Sequence, residues 1–149
     1  MMNYQDLAHE WIEAFNQHDL ERILSHYAED VRLISSFYLQ FTEGRSDELN
    51  GISELRHYFG TALQLYPQLH FSLLDVAEGS RGPCIRYHTN LGDRIAMEAI
   101  ELDSSGKAAR VLCHYNLPNH PALPLWRPAR GAQAPTLASS NGAAYRNYL

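Results

Sequence analysis

The feature that most constrains the fold of this chain is a pair of short amphipathic segments within its first thirty residues. Apolar residues recur there at intervals of three and four, the spacing of a helix with one buried face. A polar break at residues 16–19 separates the segments, and the Asp19 carboxylate can accept the free amide protons of a first helical turn. The sequence therefore predicts one helix that ends near Asn16 and a second that closes on residues 27–30. The two stripes consist of Trp11, Ala14, Phe15, Leu20, Ile23, Leu24 and Tyr27.

A third helix is predicted over residues 52–66, because Asn50 and Gly51 form a start signal and Pro67 a stop signal. A short strand over residues 31–35 precedes it. Residues 37–47 combine aromatic side chains with turn-forming residues, so we expect an irregular segment that folds over an apolar surface.

The second half of the chain has the pattern of four consecutive strands. They are predicted over residues 69–78, 84–90, 94–102 and 109–116, and glycine occurs in each of the turns between them. Helices therefore come first and strands follow, without the alternation that a parallel sheet needs. The sequence predicts an α+β fold in which three N-terminal helices pack on a strongly curved, mostly antiparallel sheet.

Composition and motifs exclude several classes of function. The 149 residues carry a net charge of −5 without a basic run, which argues against a nucleic-acid partner. No apolar stretch of membrane-spanning length occurs, so we expect no membrane partner and a cytoplasmic location. The histidines and the two cysteines lack the spacing of metal ligands, and no phosphate-binding or dinucleotide motif is present. We therefore expect no metal and no cofactor.

Residues 117–149 differ from the rest of the chain. They are rich in proline, alanine and glycine, which remove amide donors and interrupt helices. We interpret residues 1–116 as one domain and residues 117–149 as a C-terminal extension. Three alternatives remain for that extension: a disordered tail, a strap across a partner subunit, or a lid over a pocket.

Glu98 is the strongest candidate for chemistry. It lies in the middle of the strand over residues 94–102, on the same face as Ala96 and Ile100. A carboxyl group buried on an apolar face has its pKa raised, which suits a general acid or a hydrogen-bond donor. The alternative is a structural ion pair between Glu98 and Arg86 or Arg94.

The other site candidates depend on which residues share the face of Glu98. Tyr115 is expected to face inward from the last strand, and His114 outward. A two-residue turn at Gly92 and Asp93 places Glu98 opposite Tyr87 and turns residues 85, 87 and 89 inward. A three-residue loop instead turns residues 86, 88 and 90 inward, which would join His88 to Glu98.

The order of elements, from the helix break at residues 16–19 to the Gly106-Lys107 hairpin, resembles the nuclear transport factor 2-like superfamily. Within it, the chain resembles the SnoaL-like proteins, a group similar to polyketide cyclases and ketosteroid isomerases. The resemblance covers about residues 3–116. It implies a cone-shaped domain with an interior pocket, a small-molecule ligand and a homodimer. Ligand-binding positions are then expected at Trp11, Tyr27, Tyr58, Phe59, Tyr87 and Cys113.

Comparison with the two best-known sites of that superfamily is more restrictive. Counted back from the Gly106-Lys107 hairpin, Glu98 falls where ketosteroid isomerases carry a protonated aspartate. Their tyrosine on the first helix falls on Trp11, and their catalytic base falls on Ser35. The last aspartate of limonene epoxide hydrolases falls on Cys113. The resemblance thus implies the fold and one acid, but neither of these complete catalytic sites.

Two classes of function follow from the sequence. In the first, the protein is a cofactor-independent enzyme that moves protons on a small apolar substrate, as an isomerase, cyclase or dehydratase. Glu98 would then act as acid, assisted by Tyr115, Tyr87 or His88. In the second, it is a non-catalytic ligand-binding or dimeric accessory module.

Overall fold

The structure is a computed structural model, and it describes residues 2–116. The four helices of this part are α1 (Tyr4–Asn16), α2 (Leu20–Leu24), α3 (Ser36–Phe41) and α4 (Ile52–Leu65). Its six strands are β1 (Tyr27–Ile34), β2 (Glu48–Asn50), β3 (Phe71–Glu78), β4 (Pro83–Thr89), β5 (Arg94–Leu102) and β6 (Ala108–Asn116). The predicted C-terminal extension, residues 117–149, lies outside the described residues.

The six strands form one open sheet in the order β2-β1-β6-β5-β4-β3. Neighbouring strands are antiparallel except for β1 and β6, which run parallel. The expected α+β class and the mostly antiparallel sheet are therefore confirmed. The helices cover one face, and the core lies between that face and the apolar stripes of α1 and α4.

The beginnings of the first two helices follow from side-chain caps. The Asn3 side chain accepts a hydrogen bond from the backbone amide of Asp6 at 2.8 Å. Asp19 caps α2 in the same way and accepts from the amide of Arg22 at 3.1 Å. Each cap satisfies an amide that has no partner within its helix. The predicted break at residues 16–19 and the role of Asp19 are confirmed.

The predicted end of the second helix is wrong. Helix α2 stops at Leu24, and Tyr27 is already the first residue of β1. The reason is a partner distant in sequence: the Ala108 amide donates to the His26 carbonyl at 2.8 Å, and Tyr27 then pairs with Ala108. Pairing with β6 gives this segment hydrogen bonds that a longer helix would have had to supply locally.

The prediction of three helices is also wrong, because part of the segment expected to be irregular forms α3. The Ser35 hydroxyl accepts a hydrogen bond from the Phe37 amide at 3.1 Å and starts this short helix. Phe37 and Tyr38 on it are buried. The segment therefore does cover an apolar surface, but as one and a half helical turns. The short strand β2 was likewise not predicted.

In the hairpin of β4 and β5, the predicted side chains of β4 face inward, but the residues that pair across the two strands differ from the prediction. Thr89 pairs with Arg94, so the loop contains four residues rather than two, and Glu98 lies opposite Ile85 rather than Tyr87. A loop that is longer by two residues preserves which side chains face inward, because side chains alternate with period two. Ile85, Tyr87 and Thr89 are accordingly buried against the helices.

Two kinds of feature are absent within residues 2–116. None of the helices in this range has the length and apolar character needed to cross a membrane. Within the same range, no group of three or more His, Cys, Asp or Glu side chains is arranged to hold a metal ion.

Candidate functional site

Glu98 lies at the centre of the inner sheet face and is only 5% exposed. Its carboxylate oxygen Oε2 accepts a hydrogen bond from the Tyr87 hydroxyl at 2.5 Å. The Cys113 thiol of β6, directly across from Glu98, is a second polar neighbour. No ion pair of the described residues includes Glu98. The carboxyl group is therefore held by neutral donors.

Burial determines the acidity of this group. Removal from water raises the pKa of Glu98 from its usual 4.5 to about 7, and the contacts with Tyr87 and Cys113 oppose this only in part. The pKa values of Tyr27, Tyr87 and Cys113 are raised as well. Burial is the larger cause for each of them, and the negative charge of the nearby Glu98 is the second. At neutral pH the site thus contains one titrating carboxyl group among groups that keep their protons.

A second polar group of the site centres on Ser35, which is buried at the start of α3. Its hydroxyl interacts with the Cys113 thiol and the Tyr115 hydroxyl and lowers the pKa of each, against a larger rise caused by burial. The Tyr115 ring stacks on Phe37 with ring centroids 4.0 Å apart. Polar side chains therefore continue from Tyr87 through Glu98 and Cys113 to the first turn of α3.

Glu98 opens onto a small cavity with otherwise uncharged walls. Its volume is about 70 Å³, well below the roughly 300 Å³ at which typical ligand pockets begin. An interior pocket of substrate size, as expected from the sequence, is therefore not confirmed. The lining residues are Phe15, Leu33, Ser35, Phe37, Tyr58, Phe59, Ala62, Leu69, Phe71, Tyr87, Thr89, Leu91, Glu98, Cys113 and Tyr115.

Six of the predicted site residues line this cavity, and three lie elsewhere. Trp11 and Tyr27 form a layer behind it, where the Trp11 indole donates to the Tyr27 hydroxyl at 2.9 Å. The Trp11 ring also packs against Tyr87, with centroids 5.3 Å apart. These two residues thus support the site from the core. The six lining residues are Tyr58, Phe59, Tyr87, Glu98, Cys113 and Tyr115.

His88 does not join the site, because the four-residue loop of the hairpin turns the same side chains inward as the two-residue alternative would have. The His88 ring lies on the outer face of the sheet, 2.6 Å from a carboxylate oxygen of Asp93. Arg86 also faces outward and forms an ion pair with Asp75 at 2.7 Å. The less favoured alternative, a cluster of Glu98, His88 and Arg86, is therefore wrong, as is the alternative that an arginine neutralises Glu98.

A wider groove of about 820 Å³ lies elsewhere, between the start of α1 and the turn that joins β5 to β6. Its charged groups are already engaged within the fold. The Lys107 amine donates to the Ser25 carbonyl at 2.5 Å, and Glu101 forms an ion pair with Arg110 at 3.1 Å. The mostly buried His26 of this groove contacts Glu10 at 3.3 Å, so among the described residues the groove offers open space without an unengaged buried group.

Comparison with known proteins identifies the family. A family model described as a SnoaL-like domain matches residues 8–115. The chain belongs to the SnoaL-like family. A SnoaL-like protein of unknown function from Burkholderia thailandensis is 32% identical, with 76% of this chain and 93% of that chain covered and a TM-score of 0.73. No curated protein gives a significant match.

More distant solved structures share the fold of this SnoaL-like chain. An NTF2-like protein of unknown function from Cytophaga hutchinsonii is 14% identical, with 78% of this chain and 92% of that chain covered and a TM-score of 0.60. The epoxide hydrolase/cyclase-like enzyme SalBIII, which has a role in pyran ring formation in salinomycin, gives the same identity, coverage and TM-score. The resemblance inferred from the sequence is therefore confirmed at the level of family and fold.

Nine of the fifteen lining residues of this SnoaL-like domain were not among the sequence candidates; of these, Ser35 had a local signal and Phe37 did not. Ser35 matches the position of an isomerase base, but serine is also one of the residues preferred at a helix N-cap, and its hydroxyl accepts from the Phe37 amide. Phe37 had no such signal, because its contact with Tyr115 depends on how α3 lies across β6.

Proposed function

We propose that this protein binds a small, largely apolar molecule and moves a proton on it without a cofactor, with Glu98 as the acid–base group. One observation carries the proposal: Glu98 is buried beside a cavity, is held only by neutral donors, and has a pKa of about 7. At neutral pH, a carboxyl group with such a pKa is protonated in part of the molecules and ionised in the rest. It can therefore both accept and donate a proton during a reaction.

The chemistry suited to this arrangement is proton transfer next to a carbonyl group. The ionised Glu98 would remove a proton from the carbon beside the carbonyl. The electron pair of the broken C–H bond would form a carbon–carbon double bond, and the π pair of the carbonyl would move onto its oxygen. A hydroxyl such as that of Tyr115 would donate a hydrogen bond to the new oxyanion. Protonated Glu98 would then return the proton to the same carbon or to a neighbouring one. Isomerisation, cyclisation and dehydration all contain such a step.

Two further observations are compatible with this function. The Glu98 carboxyl group, which accepts from Tyr87 at Oε2, also lines the cavity and so faces the space that a ligand would enter. The aromatic walls of the cavity suit an uncharged group next to Glu98, since an anion at that point would face the carboxylate without compensation. SalBIII, which has the same fold, is described as an epoxide hydrolase/cyclase-like enzyme, so this fold is compatible with an enzyme of small molecules.

A second candidate is a ligand-binding module without catalysis. The size of the cavity favours it, because about 70 Å³ leaves little room for a substrate unless the walls move. A single carboxyl group without a separate base also serves simply as a hydrogen-bond donor to a bound ligand.

Deuterium exchange distinguishes these two functions. The native protein is incubated in D₂O with 2-butanone near pH 7, and loss of the protons beside the carbonyl is followed by proton NMR. The titration of the Glu98 carboxyl carbon is recorded in parallel, with and without the ketone. For the enzyme we expect faster exchange that Glu98→Gln abolishes. For the binding module we expect a ketone-dependent shift of the Glu98 titration without exchange.

Glu101→Gln is the matched control, because Glu101 lies on the same strand but is partly exposed and paired with Arg110. It should leave both readouts unchanged. Equal exchange in native protein and Glu98→Gln would contradict the catalytic proposal, and no effect of the ketone on Glu98 would contradict the binding module.

The homodimer and the cytoplasmic location remain proposals. The dimer is supported by the outer sheet face, where the apolar side chains of Ile95, Met97 and Leu112 are only half-buried. Sedimentation velocity on the native chain and on Met97→Glu tests it. A dimer that becomes a monomer in this variant is the expected result.

A further inference from the structure

Arg94 is a buried cation that the proposed chemistry does not use. It is the first residue of β5 and only 8% exposed, on the inward face that it shares with Ala96 and Glu98. An arginine side chain keeps its charge at any pH that proteins experience. Its burial therefore requires an anionic or strongly accepting partner, or costs stability.

Within residues 2–116, that partner is missing. The buried guanidinium nitrogen Nε of Arg94 has no hydrogen-bond partner. None of the ion pairs in this part of the chain includes Arg94. The adjacent acid, Asp93, is directed to the outer face, where it pairs with His88 at 2.6 Å. Desolvation lowers the pKa of Arg94, which is the direction expected for a cation without compensation.

Arg94 does not itself line the cavity, but it lies next to residues that do. Thr89, its direct partner across the hairpin, lines the cavity, and so does Leu91 of the connecting loop. Arg94 and Glu98 are separated by four residues on one strand, or about 13 Å between their Cα atoms at the usual rise per residue. The inner face of β5 thus carries a titrating acid at one point and a bare cation at another.

We propose that Arg94 binds an anionic group, a carboxylate or a phosphate, at one end of an elongated ligand whose neutral end reaches Glu98 when the walls of the 70 Å³ cavity move apart. The ligand class is then a molecule with an apolar middle, one acceptor such as a carbonyl, and a terminal anion. For its neutral end, this inference rests on the proposed function. The anionic end is argued from Arg94 alone.

The test compares two probes that differ only in the terminal anion. Isothermal titration calorimetry measures binding of 2-nonanone and of 8-oxononanoate, which has the same chain and ketone with a carboxylate at the other end. Since a hydrogen bond to a charged group outweighs a neutral one, we expect the keto acid to bind at least about tenfold more tightly. The preference should disappear in Arg94→Met and persist in part in Arg94→Lys.

Arg86→Met is the matched control. Arg86 lies on the neighbouring strand but faces outward and already pairs with Asp75. It should keep the full preference for the keto acid. Equal affinities for both probes on the native protein, or a preference that survives in Arg94→Met, would overturn the inference.

Two further outcomes separate this inference from the proposed function. If the ketone alters the titration of Glu98 but the carboxylate adds nothing, only the role of Arg94 fails. If the keto acid binds through Arg94 while no probe affects Glu98, the proposed function fails and the anion site stands. Inorganic phosphate serves as a third probe, and Arg94-dependent binding of phosphate without a keto-acid preference would overturn the elongated organic ligand.

Discussion

Replacement of Glu98 by glutamine should change how stability depends on pH, because the native carboxyl group titrates differently in the folded and unfolded chain. Its pKa is about 7 in the fold, against a usual value of 4.5. Folding therefore favours the protonated form. This contribution is fully present below about pH 4.5 and is lost as pH rises to about 7.

The magnitude follows from that difference. At about 1.4 kcal/mol per pKa unit, the free energy of unfolding of the native protein should fall by about 3 kcal/mol over this window because of Glu98 alone. Glutamine has nearly the same shape and no titrating proton. The free energy of unfolding of Glu98→Gln should therefore not fall over this pH range because of residue 98. Relative to the native protein, the variant should gain about 3 kcal/mol between pH 4.5 and pH 8.

The assay is urea unfolding of the native chain and Glu98→Gln at several pH values. Titration of all other groups is common to both proteins and cancels in the difference. Glu101→Gln is the control and should follow the native curve. Parallel curves for native protein and Glu98→Gln would refute the reasoning, because they would mean that burial does not raise the pKa of this carboxyl group.

Three further perturbations test the packing that supports the site, each by urea unfolding. Trp11→Phe removes the donor to the buried Tyr27 hydroxyl and should cost about 1–3 kcal/mol, whereas an unchanged stability would mean that water replaces the indole. Ser35→Ala removes the cap of α3 and should cost about 1 kcal/mol, with Ser35→Thr losing less. Gly82→Ala places a methyl group 2.0 Å from the Ile100 carbonyl oxygen, so it should destabilise far more than Gly106→Ala, where no atom lies within 4 Å.

The sequence pattern predicted the structure correctly where conformation depends on residues that are neighbours in sequence. The cap at residue 19 and the alternation along β5 depend only on neighbours in sequence, so the start of α2 and the inward placement of Glu98 were predictable. The inward face of β4 was also predictable, because alternation survives a change of loop length by two residues. The end of α2 was not, since Ala108 supplies the competing hydrogen bond from far along the chain.

The composition of the site shows the same division. Glu98 was identified because an acid on an apolar strand face is a local anomaly. Phe37 and Ser35 enter the site only because α3 lies across the end of β6, and no local signal specifies that placement. An ion pair between Arg94 and Glu98 was one of the alternatives. Residues four apart on one strand have Cα atoms about 13 Å apart, so their side chains meet only if both extend along the strand toward each other.

The sequence by itself therefore determined the family, the α+β class and the presence of one buried acid, because periodicity and burial on one strand are local properties. Only the tertiary structure decided the surroundings of that acid. The pKa of Glu98, the exclusion of His88 and the isolation of Arg94 depend on which groups other strands and helices bring within contact. Electrostatic interactions in a buried site depend on distance and on the exclusion of water, and both are set by packing between segments that are remote in sequence.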